Sequence, residues 1–203
     1  MKRTVRNIVI VLAVVAICSA AVLGTMAWLI DSSETVVNKF INTDIDVEVE
    51  ESTGDEYEMI PGWNLSKDPK VTVNADSVDC WVFVKLEKSA NYDQFLIHSV
   101  DSAWTQGDGT NIPADVYYRQ VTDANGFKGQ TLSVLAAGSI EVDSVTYTWG
   151  ADEVLVRPDV TKAMMDSLTE NTYPTLSVSS KVVQLMKNET DEFTAAEAWA
   201  LAE

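Results

Sequence analysis

The feature that most constrains this chain is a period of two. Thr43, Ile45, Val47 and Val49 alternate with Asp44, Asp46, Glu48 and Glu50, so apolar groups fall on one face and carboxylates on the other, the signature of a half-buried strand. Strand-length pieces recur down the rest of the chain with turn residues between them. In Cys80–Lys88 the Cys80, Val82, Val84 and Leu86 face is apolar throughout, while Trp81 and Phe83 precede Lys85 and Glu87 on the other. Further strands are predicted at 71–73, 95–100, 116–121, 131–135, 144–149 and 175–185, punctuated by Gly107-Asp108-Gly109 and Asn125-Gly126. The stretch before Val71, with two prolines and a glycine, reads as a loop. Helical patterns are few: one over Asp159–Leu168 with Asp159 as cap, and a terminal one where Thr194 and Glu197 have capping-box spacing. Regular strands with few helices predict an all-β sandwich over residues 43–203.

The N-terminus is of another kind. Lys2, Arg3 and Arg6 precede a segment, Ile8 to Ile30, without a charged side chain. Two readings compete. A run of roughly 20 apolar residues can span a bilayer with its basic end inside, giving a retained anchor. The densest apolar part, Ile8–Ile17, has the length of a signal-peptide core, and Thr25 and Ala27 supply small residues three before and one before a cut at Ala27–Trp28. Cleavage is the favoured expectation, with residues 1–27 as signal peptide and signal peptidase as a partner during export. Export places the protein outside the cell or on its surface.

Cleavage removes three basic residues and no acidic one, leaving 176 residues with 11 basic against 31 acidic side chains, a formal charge of −20. Such a surface repels phosphate backbones and anionic lipid heads, so nucleic acid is not an expected partner, and membrane contact is expected only through an uncleaved leader. Only Cys80 remains in the shortened chain, so no intrachain disulfide forms and stability must come from a core.

The residues that could carry chemistry are few. His98 is the only histidine, which excludes a two-histidine zinc site within one chain. No Gly-x-Ser-x-Gly elbow and no phosphate loop occurs. Cys80, on an apolar face, reads as a small core residue. No catalytic residue, cofactor or enzymatic activity is therefore expected. Eight carboxylates and no basic residue lie between Asp44 and Glu58. Asp44, Asp46 and Glu48 share a face and are weak calcium candidates, but alternation strings them along a strand where a hard cation needs convergence. The favoured reading is a solvated face. Trp63, Trp81, Trp104 and Trp149 read as core or edge-packing residues, with a carbohydrate platform as the alternative.

Gly24-Thr-Met-Ala-Trp-Leu-Ile-Asp31, then Phe40, then Met59–Val73 (MIPGWNLSKDPKVTV) resemble the TasA and camelysin family of exported surface proteins, whose leader is handled by a dedicated SipW-type signal peptidase. The resemblance implies a jelly-roll-like sandwich at the cell surface, in the extracellular matrix of a biofilm, assembling into fibres by strand exchange between copies. Residues 28–42 fit a donor arm: Trp28, Leu29, Ile30, Val36, Val37, Phe40 and Ile41 have no evident place inside their own short segment. The alternatives are a camelysin-like metallopeptidase, for which the expected histidine set is missing, and a membrane-tethered binding module that keeps its leader.

Overall fold

The computed structural model describes residues 47–51 and 57–203. The leader 1–27, the cut at Ala27–Trp28, the arm 28–42, Asp44 and Asp46 lie outside the described residues. What is described is mostly β, built as several small antiparallel sheets with short helices.

The largest sheet has four strands, in the order β14-β4-β8-β7: β4 (Cys80–Lys88), β7 (Thr105–Gln106), β8 (Val116–Val121) and β14 (Leu176–Gln184). Its centre is the alternating segment Cys80–Lys88. Cys80, Val82, Val84 and Leu86 point inward and are at most 2% exposed. Against this face lie a sheet of β1 (Val47–Glu50), β3 (Lys70–Val73) and β9 (Thr131–Ser133), and another of β2 (Asn64–Ser66), β5 (Leu96–Ile97) and β13 (Glu153–Val156). Val71, Val73, Leu132, Leu96, Val154 and Val156 join the inward side chains of β4 in one core. Two ribbons complete the β structure. One pairs β6 (Ser99–Val100) with β10 (Leu135–Ala136), and the other is a hairpin of β11 (Gly138–Val142) and β12 (Val145–Trp149). At the hairpin tip Asp143 and Ser144 both take positive φ, 51° and 63°, the turn whose twist matches the flanking strands.

The Ile60-Pro61-Gly62-Trp63 segment is a tight turn, not an open loop. Trp63 N–H donates to Ile60 C=O, Pro61 presets the first central residue, and Gly62 takes the positive φ of 81° that the second requires. The chain then enters β2, which the sequence reading had placed in a loop.

The helices differ from expectation in their bounds. α1 (Tyr92–Phe95) occupies the start of the stretch expected as a strand over 95–100, which is reduced to β5 and β6. α2 (Lys162–Asp166) begins later than Asp159, because Thr161 is the cap that accepts from Met164 N–H, while Asp159 is held by Arg157 at 2.8 Å. The terminal helix α3 (Ala195–Ala202) has the expected capping box between Thr194 and Glu197. It lies on the outer face of the four-stranded sheet, where the Trp199 ring lies 5.3 Å from that of Phe83, tilted by 57°, and forms a second core with Ile112, Val116 and Val183. Among the described residues no helix is long and apolar enough to cross a membrane.

Candidate functional site

The residues first suspected of chemistry are dispersed. His98 is largely buried and its Nδ1 lies 2.8 Å from the Tyr92 hydroxyl. Desolvation, aided by Lys88, lowers its pKa to about 4 against the pull of Asp93, and burial pushes the Tyr92 phenol up. A neutral imidazole held by a neutral phenol is a packed pair. Cys80 is fully buried, and desolvation raises its thiol to about 12. Glu48 is exposed on β1, and among the described residues no three acidic, histidine or cysteine side chains converge as metal ligands. Of the tryptophans, Trp104 and Trp149 are buried, Trp81 is partly buried with Nε1–H donating to Phe193 C=O, and Trp63 is 61% exposed.

The feature that stands out is the outer edge of β14. The strand pairs with β4 over nine residues in constant register, without a bulge. At one end Ser89 N–H donates to Thr175 C=O, and at the other Leu185 N–H donates to Asp79 C=O. In an antiparallel ladder the direction of these groups alternates along the strand. Ser177, Ser179, Lys181 and Val183 therefore turn their backbone groups toward β4, and Leu176, Val178, Ser180, Val182 and Gln184 turn theirs away. Among the described residues no strand pairs with this second side. β1, where the described chain begins, runs close to β14 without pairing to it.

The side chains agree with the backbone. Leu176, Val178 and Val182 face inward yet are only half-buried, whereas their β4 neighbours Leu86 and Val82 are covered. Beside the first half of the strand lies a groove of 370 Å³, with Leu65, Leu96, Val154 and Tyr92 on its walls next to Leu176 and Val178, and with the Glu51–Lys67 ion pair lining it as well. An edge this long is a template for another strand unless charge, proline or a bulge spoils it. None does so within β14. Pro174 precedes the strand, and Lys181 points to the outer face, where its Nζ donates to Ala202 C=O at 2.6 Å and lies over the Trp199 ring.

No family model, no curated protein and no solved structure matches this chain.

Proposed function

We propose that this protein is a secreted structural subunit of the cell surface or extracellular matrix, a jelly-roll-like β-sandwich that self-assembles into fibres. Cleavage after Ala27 by signal peptidase frees residues 28–42, and the arm of one copy pairs along the outer edge of β14 in the next. The observation that carries this reading is the nine-residue edge with half-covered apolar side chains beside a groove whose walls mix apolar and charged residues. Strand addition supplies backbone hydrogen bonds along such an edge, and pockets select alternate side chains of the incoming segment. The arm is apolar enough to fill them, through Val36, Val37, Phe40 and Ile41 among others.

The test is a lysine at Ser180. This side chain faces inward at the open edge opposite Val84, and a lysine there can reach solvent past β14 while obstructing an incoming strand. Chains starting at Trp28 are expected to form polymers visible by electron microscopy. The Ser180→Lys chain, and a chain lacking residues 28–42, are expected to stay monomeric with melting temperatures near that of the parent. Polymers that persist in both variants would eliminate strand exchange at this edge.

A further inference from the structure

Arg119 stands apart from every other described cation. Lys67, Lys70, Lys85, Lys88, Lys128, Arg157, Lys162 and Lys187 each have a carboxylate within 4.0 Å, and Lys181 has the Ala202 carbonyl. Among the described residues Arg119, in a chain of net charge −17, has no ion pair, and its buried Nε has no hydrogen-bond partner. It lies opposite Val82 on the core side of β8, half-buried.

Its nearest neighbours are aromatic. The Phe127 ring lies 4.0 Å from Cζ and the Trp104 ring 5.3 Å. Trp104 is anchored by Nε1–H donating to Ser133 C=O at 2.9 Å, and Phe127 by its N–H donating to the Asn125 side-chain oxygen. Aromatic rings attract a cation but offer no acceptor lone pair, so they leave the Arg119 Nε–H unpaired among the described residues. Burial lowers the Arg119 pKa, and the opposing pull comes from Asp101, which is not within ion-pair distance.

We propose that Arg119 is a receptor for a carboxylate brought by another molecule. A guanidinium presents a planar fork of donors, and a carboxylate is the planar monoanion that matches it. A phosphate dianion would meet more repulsion from the acidic surface. The carboxylate can come from an acidic peptide segment or from a small free acid. A second copy of this chain offers the first kind, since Glu48 and Glu50 are exposed on its β1 within the acidic stretch 44–58. This receptor does not depend on strand exchange at β14.

The experiment follows the Arg119 Nε–H resonance in the ¹⁵N-labelled full chain, assigned by through-bond correlation, during titration with three probes at matched ionic strength. They are sodium acetate, a peptide with the sequence of residues 44–51, and sodium chloride. A saturable shift with acetate and with the peptide, and none with chloride, is expected. Tighter binding of the peptide would identify an acidic segment as the source, and equal or tighter binding of acetate a small acid. No shift with either carboxylate, or the same shift with chloride, would overturn the proposal. So would an Asp101→Asn chain whose resonance already moves as far as acetate moves it in the parent, because Asp101 would then be the occupant.

Discussion

At the scale of single residues, His98 gives the clearest consequence of burial. Its folded pKa of about 4 lies below the unfolded value of 6.5, so the unfolded chain takes up a proton first as pH falls. The stability that the neutral imidazole contributes is complete above pH 6.5 and is lost progressively as pH falls from 6.5 through 4. The difference corresponds to about 3 kcal/mol at most. The folded-state pKa values of Asp79, Asp159 and Glu197 are lowered, so the stability they contribute begins to fall as pH drops through the ordinary carboxylate range and goes on falling through their folded values. Urea unfolding at pH 7.5 and 4.5, compared between the parent and a His98→Gln chain, isolates the histidine from the carboxylates: the parent is expected to lose about 2 kcal/mol between these pH values and the variant clearly less. A matching loss in both would remove His98 as the cause. Cys80 offers a second check, since a thiol without exposure and raised to about 12 should not react with a thiol reagent at pH 8 until denaturant unfolds the chain.

At the scale of elements, α3 is held at both ends by polar contacts and in the middle by packing. Thr194 and Glu197 satisfy each other's backbone N–H groups, Lys187 sits 2.6 Å from Glu197, and Lys181 binds the carbonyl of Ala202 near the negative end of the helix. Replacing Thr194 with Ala is expected to destabilise the protein by about 1 kcal/mol. Replacing Trp199 with Ala should cost about 3 kcal/mol or more, because it uncovers Phe83 and opens the second core. Thermal melts of the two variants check the order. The capping box was legible from spacing alone, and so were β4, β8 and β14, whose alternation runs long enough to show. β2 and β13 were not: β2 follows a proline–glycine turn that reads as loop, and β13 ends in a continuous Val154-Leu155-Val156 run without alternation. α2 was misjudged at its start because Asp159 is engaged by Arg157, which left Thr161 to cap. The open edge was hidden for a different reason: an edge is a property of which strands become neighbours, and β14 joins β4 from far along the chain. The same holds for Arg119, whose aromatic neighbours come from separate loops.

At the scale of the whole molecule, charge and edge act against each other. Copies with a net charge of −17, or −20 after cleavage at Ala27, repel at long range, while an arm and an open strand attract only on contact. Screening lengths fall from about 30 Å at 0.01 M salt to about 10 Å at 0.1 M, so the repulsion is adjustable without touching the edge. If the arm of one copy pairs on β14 of another, the lag before polymer appears should shorten as sodium chloride rises over this range at pH 7. Acid should act in the same direction by protonating carboxylates, but mostly below about pH 5, where ordinary carboxylates begin to titrate. In that range the His98 contribution is also being lost, so acid promotes assembly of a less stable subunit and salt at neutral pH does not. Light scattering at pH 7 over a salt series, run beside the Ser180→Lys chain, separates the two causes. Acceleration by salt in the parent but not in the variant is the signature of edge-specific assembly, whereas equal acceleration in both would mean that lowered repulsion alone drives association and that β14 has no part in it.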